Sequence, residues 1–327
     1  MKAERGVALI TVLLVVAIVT VVCASMIARQ QLSIRATSNQ LQARQAWHYA
    51  LGGEVLAQSI LLRRDAEASG NGAQPPVDHL LEAWAQPQPV YELDEGQGQV
   101  QIRIEDLSGR FNLNSLIQDN QPNEAALAQL RRLLLRLEIT EPYAERLLDW
   151  LDSDQQPTGE TGAEDTAYLL LDPPYRTAGR RLDDLSELRL LLGMRDEDFQ
   201  RLAPHVSVLP AGTPLNVNTA SALVLSSLAD NLGPAAAEAL VQARRAGGFR
   251  DVATFMAQPA FAAVQLQDAR VAVTSQYFQA ISEVRLADRR LALVSLLQRQ
   301  ADGEVRVLQR NLGQPPRLPR QSDEGDR

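Results

Sequence analysis

GVALITVLLVVAIVTVVCASMIA, residues 6–28, carries no charged side chain. As a helix it spans roughly 34 Å, enough for a hydrocarbon core of about 30 Å. Lys2 and Arg5 precede it, a positive flank that keeps this end in the cytoplasm and sends the remainder across the membrane, although Arg29, Arg35 and Arg44 on the far side weaken that asymmetry. A cleaved secretory signal has a shorter apolar core. Val22-Cys23-Ala24 offers a small-residue cut site only after the run is already long. A lipoprotein signal needs a small residue before Cys23, and Val22 is not one. A plain anchor explains the apolar run but not the short charged leader that ends in Gly6 directly before Val7.

That leader resembles the type IV prepilin signal, which implies cleavage after Gly6 by a prepilin peptidase, methylation of Val7 and retention of the apolar segment as a membrane helix. The sequence that follows agrees. No proline occurs before Pro75, and residues 29–64 are rich in helix formers. Leu41, Trp47, Leu51, Val55 and Leu62 recur at roughly helical spacing and predict an apolar stripe. One helix is expected from Val7 to Arg64, about 87 Å long, with Gly52-Gly53 as its weak point. Pilins usually carry Glu at the fifth mature position, and here that position is Thr11. A carboxylate in the bilayer needs a neighbour's amine beside it, so Thr11 fits a subunit at a filament end.

The 327 residues are 45% hydrophobic and 22% charged, which allows a packed core in more than one domain and excludes a wholly disordered chain. Acids outnumber bases, 40 to 32, for a net charge of −8, so no general nucleic-acid coat is expected. Cys23 is the only cysteine, and His48, His79 and His205 lie far apart, which leaves no internal disulfide and little for a Cys- or His-based metal site. Lys2 is the only lysine. Phosphate-cradling Gly-rich loops with Lys, G-x-S-x-G and H-E-x-x-H are missing, and no enzymatic activity is expected. His48, beside Trp47, reads as a packing residue, His205 after Pro204 as a turn residue, and Trp150 as core.

Residues 66–89 read as a linker rich in Gly, Pro and Gln. Val90–Leu93, a turn at Asp94-Glu95-Gly96, and the alternating Val100–Ile104 predict a hairpin. Tyr277–Leu286, Leu291–Arg299 and Glu304–Gln309 read as three further strands, the last two joined at Asp302-Gly303. Between them, about 115–274 is Leu/Ala/Arg-rich and helical, and the tail 314–327 reads as disordered. The fold class is therefore α+β: a long N-terminal transmembrane helix and an antiparallel sheet interrupted by a large all-helical insert.

This arrangement, with RQAWHYALGGE at 44–54, DLSGRFNLNSL at 106–116, LLDWLDSDQQPTGETGAEDTAYL at 147–169, DDLSELRLLLGM at 183–194 and PLNVNTAS at 214–221, resembles the protein K family of minor pseudopilins of type II secretion. The resemblance implies a leader at 1–6, a transmembrane part at 7–28 and a periplasmic part of the pilin helix at 29–65. It implies a pilin-like β domain from 66–114 and 275–313, and an insert in two parts, a first SAM-like part at 115–210 and a helix-hairpin-helix-like part at 211–274. It further implies a single-pass protein of the bacterial inner membrane with its C-terminal domain in the periplasm. There it would cap the tip of the pseudopilus and help initiate its assembly for export of folded proteins across the outer membrane, beside proteins I and J and the major pseudopilin. The alternatives are a minor pilin of a type IV pilus for DNA uptake or adhesion, and a signal-anchored periplasmic enzyme.

Two constellations remain. Between Glu141 and Asp172 stand nine acids and one base, Arg146. Spacing alone leaves a solvated acidic turn and a Ca²⁺ loop both open, since Ca²⁺ takes six to eight oxygen ligands but no EF-hand pattern is present. The resemblance implies structural calcium here. Asp152, Asp154, Glu160, Glu164 and Asp165 are the expected ligands, and Asp149 is expected to be a helical surface acid instead. The second stretch, 214–255, resembles a helix-hairpin-helix unit. Its hairpin, Asn231-Leu232-Gly233-Pro234, holds one glycine and a proline without N–H, and residues 211–274 carry four arginines against four acids. Phosphate affinity needs a positive excess, so this unit is expected to pack against protein, with no nucleic-acid partner.

Overall fold

The computed structural model describes residues 4–70, 77–93, 98–262, 270–300 and 303–313. The turn at 94–96, Asp302 and the tail 314–327 lie outside the described residues.

Helix α1 runs from Glu4 to Gly70. It passes the expected end at Arg64 because Asp65-Ala66-Glu67-Ala68-Ser69 holds no breaker before Gly70. Residues 9–41 are exposed on every face and project free of the body, and this part is long and apolar enough to cross a membrane. Further along, one face of α1 lies on an antiparallel sheet. That face holds only part of the predicted stripe: Trp47 and Leu51 pack against the core beneath the helix. Leu41, Val55 and Leu62 are exposed, while Ala46, Ala50, Gly53, Glu54, Ala57, Ile60 and Leu61 are buried. Small residues win the contact because they let the helix backbone approach the sheet closely. A Cβ on Gly53 would stand 2.2 Å from Ser282 Oγ, whereas one on Gly52 would meet nothing. His48 is exposed, not packed.

The hairpin is β1 (Tyr91–Leu93) and β2 (Gly98–Asp106), whose alternating burial matches the period of the sequence. Asp78 and Trp84 in the preceding linker are buried, so that stretch is anchored to the body, with Trp84 edge-on to Phe278 at 5.3 Å.

The insert leaves after β2. Its helices are α2 (Glu124–Arg136), α3 (Tyr143–Leu151), α4 (Asp165–Tyr168), α5 (Asp196–Leu202), α6 (Ala222–Ser226), α7 (Pro234–Ala243) and α8 (Val252–Met256). Two-residue pairings that periodicity does not reveal stitch it. β3 (Phe111–Asn112) runs parallel to β6 (Val206–Ser207), β4 (Ile117–Gln118) antiparallel to β5 (Gln121–Pro122), and β7 (Leu215–Asn216) parallel to β8 (Val271–Ala272). Each half of the insert thus opens on an Asn-x-Asn step and is closed by a parallel bridge to its own exit. Asn114 Nδ2 donates to the Leu182 and Leu209 carbonyls, and its Oδ1 accepts from Leu182 N–H. Asn218 clamps Phe249 in the same two-way fashion at 3.0 and 2.6 Å. These amides satisfy buried backbone groups that no regular ladder reaches. One apolar core holds both halves together, from Phe111 to Phe261.

The chain returns through β9 (Tyr277–Leu286), β10 (Arg289–Arg299) and β11 (Val305–Leu312), and the sheet order is β1-β2-β9-β10-β11. The predicted strands at 277–286, 291–299 and 304–309 are all present, within a few residues at their ends. Strands β2 and β9 are neighbours across the insert, with Asp106 opposite Phe278. A second apolar core lies between α1 and this sheet. The two cores meet at a buried polar seam. Asp78 accepts from Arg299 Nη2 at 2.7 and 2.6 Å, and Asp106 Oδ2 accepts from Ser275 Oγ and Thr219 Oγ1, both at 2.5 Å.

Gly53 tests the seat of α1. Gly53→Val is expected to destabilise the detergent-solubilised chain by about 1–3 kcal/mol through overpacking. Gly52→Ala is expected to stabilise it by about 0.5–1 kcal/mol. Denaturant unfolding of the two variants checks both signs.

Candidate metal centre

The acidic stretch folds around the C-terminal end of α3. Leu147, Leu148, Trp150 and Leu151 bury one side of that helix, and Asp149 and Asp152, three residues apart, share another face. The negative end of a helix dipole there favours a cation. Asp149 is no surface acid. It is fully buried, and its carboxylate accepts from Thr158 N–H at 2.9 and 3.2 Å and from Ala163 N–H at 2.6 Å, folding the loop back onto the helix. Gly162 permits this approach, since a Cβ there would lie 2.2 Å from Asp149 Oδ2. The returning chain delivers Glu164, at the N-terminus of α4, 2% exposed.

One oxygen each of Asp149, Asp152 and Glu164 lie within 4.8 Å of one another. Ca²⁺–oxygen bonds of about 2.3–2.6 Å fit a cation between oxygens so spaced. Both Glu164 oxygens and Asp152 Oδ1 are buried without a hydrogen-bond partner among the described residues. Buried carboxylate oxygens left without donors are costly unless a cation or a proton meets them. In the same segment Trp150, Tyr168 and Tyr175 pack against one another edge-on or tilted at 5.3–6.3 Å. Burial, then the charges of Asp149, Asp152, Asp154 and Asp165, push the Glu164 carboxyl up to about 8. Burial, then Asp154 and Asp149, push Asp152 up to about 6. The donor set is all oxygen, which suits a hard divalent cation such as Ca²⁺.

The structure therefore brings Asp152 and Glu164 together with Asp149. Asp154 is exposed and accepts from Gln156 N–H, yet its charge reaches the cluster. Glu160 is exposed in the loop. Asp165 is turned away, accepting from Thr177 N–H at 2.9 Å and Arg176 Nη1 at 2.6 Å. Sequence reasoning placed Asp149 outside the ligand set. Its i, i+3 spacing to Asp152 at a helix end was the available signal.

A free apolar half-helix continuing into a half that seats on an antiparallel sheet is the build of a pilin-like, membrane-anchored subunit, here with a large helical insert. The family profile of "Type II secretion system (T2SS), protein K" matches residues 109–211 and 215–274. Type II secretion system protein K of Pseudomonas aeruginosa is 51% identical over 99% of this chain and 97% of its own length. Its counterpart in Klebsiella pneumoniae is 37% identical over 95% of this chain and 97% of its own. The crystal structure of the GspK–GspI–GspJ complex from the enterotoxigenic Escherichia coli type 2 secretion system contains a chain that superposes with a TM-score of 0.73 at 30% identity, covering 85% of this chain and 99% of that one. The chain belongs to the type II secretion system protein K family and is a minor pseudopilin of that system.

Proton linkage at Glu164 gives a signed prediction. Unfolded, this group releases its proton near 4.5, and folded without a cation it holds it to about 8. Its contribution to stability is thus fully present below pH 4.5 and lost as pH rises through 8. In chelator, Glu164→Gln is expected to melt above the parent chain by a margin that widens from pH 5 to pH 8. Millimolar Ca²⁺ should raise the melting temperature of the parent but not of the variant. A margin that does not change with pH contradicts the burial of this carboxylate.

Proposed function

We propose that this pseudopilin is cleaved after Gly6, sits in the inner membrane by α1 with its body in the periplasm, and ends the pseudopilus at its tip together with proteins I and J. The observation that carries this reading is the position of the insert along α1. Gly53 lies at Ser282, Glu54 accepts from Ser295 Oγ at 2.5 Å, and Gln58 donates to the Val305 carbonyl at 3.2 Å. In the strand register Ser282 pairs with Ile102, Ala280 pairs with Ser295, and Arg299 pairs with Val305 beside the Asp106–Phe278 pair where the insert is rooted. Each step along α1 away from its apolar half is a step toward the insert. The insert crowns the end of the body opposite the membrane segment, where a subunit stacked above would have to sit.

Thr11 supports the same placement, because a hydroxyl at that depth needs no amine from a neighbouring subunit. The solved complex contains GspI and GspJ beside its GspK chain, which supports the same company here. The role is structural and non-enzymatic. Ca²⁺ held by Asp149, Asp152 and Glu164, with Asp154 and Glu160 completing the shell from the loop, fixes the first half of the insert rather than taking part in a reaction.

Intact-mass measurement of the chain recovered from cell envelopes is expected to give a protein beginning at Val7 with one added methyl group, and it should co-purify with proteins I and J of its system. A chain beginning at Met1, or near Ser25, overturns the reading. For the cation, Tb³⁺ luminescence sensitised by Trp150 is expected to appear on titration, fall on adding Ca²⁺ and vanish in Glu164→Gln.

A further inference from the structure

A cleft of about 450 Å³ opens between the two halves of the insert, away from the acidic cluster. Its walls come from the chain just after β2, the N-terminal turns of α2, the connection 209–215 and the α6–α7 turn. Its character is opposite to that of the whole molecule. In a chain of net charge −8, this cleft is lined, among the described residues, by Arg110, Arg132 and Arg270 against the single carboxylate of Asp230. Arg132 is committed to Asp230 and to the Ser227 and Leu228 carbonyls. Arg110 donates to Glu105 through Nη2 at 2.6 Å. Arg270 is exposed and makes no ion pair among the described residues. The N-terminal turn of the thirteen-residue α2 adds its positive dipole end.

Two further observations point to a ligand. Ser108 lines the cleft, is 2% exposed, and its Oγ makes no hydrogen bond among the described residues. A buried hydroxyl without a partner is rare in a settled interior. On the walls, half-buried Gln118 and exposed Asn231 present amide side chains that water meets when no ligand is bound. Amides offer donor and acceptor together, as a polypeptide main chain requires, while a guanidinium reads a carboxylate. The volume falls in the range of clefts that enclose a ligand of a few residues.

We propose that this cleft binds an extended, acidic polypeptide segment. The Arg270 guanidinium takes a side-chain carboxylate with Arg110 beside it, Gln118 and Asn231 hold main-chain amides, and Ser108 Oγ supplies a hydrogen bond at the base. A protein that works among folded cargo and sibling subunits has in this cleft a site selective for charge and extended backbone, independent of whether the chain ends a filament.

Titration calorimetry on the detergent-solubilised full chain tests this. The probe is a capped decapeptide of alternating Glu and Ala, set against its Gln–Ala counterpart and free glutarate. The Glu–Ala peptide is expected to bind at least tenfold more tightly than either control, and more weakly as salt is raised. Arg270→Glu should weaken it about tenfold, Ser108→Ala by a smaller factor, and Arg285→Glu, an exposed position on β9, not at all. Far-UV circular dichroism checks that the variants are folded. No binding, equal binding of the Gln–Ala peptide, glutarate binding as tightly as the peptide, or equal losses at Arg270 and Arg285 would each overturn the proposal.

Discussion

The seating of the second half of α1 on the sheet is the constraint on which the rest depends. Ala46, Ala50, Gly53 and Ala57 bring the helix close to the strands, and Glu54 fixes its rotation and register. Burial alone would push the Glu54 carboxyl up, but hydrogen bonds from Arg310 and Ser295 outweigh it and hold the group below its ordinary value. Arg310 reaches it through two contacts of 2.8 Å from the edge strand β11. An ionised, fully engaged carboxylate in an otherwise small, apolar contact admits one docking of the helix. A slide by one turn would leave that charge buried without partners, which costs several kcal/mol. Direction is thereby set, with the apolar half at one end of the body and the insert at the other.

The insert needs its own attachment, because it is entered and left through adjacent ends of β2 and β9. The seam supplies it. Asp106 is fully enclosed, and burial pushes its carboxyl up while hydrogen bonds from Ser275, Thr219, Ser108 and Asn216 draw it back down. Asn216 belongs to the second half of the insert, Ser275 to its exit, and Asp106 to the sheet, so one carboxylate joins three segments distant in sequence. Asp78, from the linker, repeats the pattern with Arg299 and the Ser275 N–H. A polar junction with this many directed hydrogen bonds specifies one relative placement of two cores, where an apolar contact would tolerate several.

Much of this architecture is legible in the sequence. Uninterrupted apolarity marks the first half of α1, strict alternation marks β2, and the strands after the insert are marked by their period. The face of α1 that meets the sheet is only partly legible by the same rule. Periodicity weights large apolar residues, and here Trp47 and Leu51 pack inward as it expects, but Leu41, Val55 and Leu62 face outward and alanine and glycine set the close approach. The bridges of β3 with β6 and β7 with β8 are two residues long, too short for any period, and only the repeated Asn-x-Asn steps at 112–114 and 216–218 hint at them. At the acidic loop the type of chemistry is legible from carboxylate density, and Asp152 and Glu164 from their place on either side of a Pro/Gly turn. Which acids converge depends on where the loop's N–H groups go. Asp149 captures two of them and is drawn inside, whereas Asp165 is taken by Arg176 and Thr177.

Carboxylates crowded at the end of α3 leave buried oxygens without donors among the described residues, while the seam and the α1 seat are held by hydrogen bonds within the chain. The insert thus adds its bulk to the body through a junction that needs no ligand. The account rests most directly on where that bulk lies in the assembled filament. Electron cryo-microscopy of pseudopili carrying an antibody-fragment label on the insert, at the exposed Leu170, is expected to show one label per filament, at one end, with no subunit beyond it. Labels along the shaft, or ordered subunits stacked past the labelled one, would contradict it.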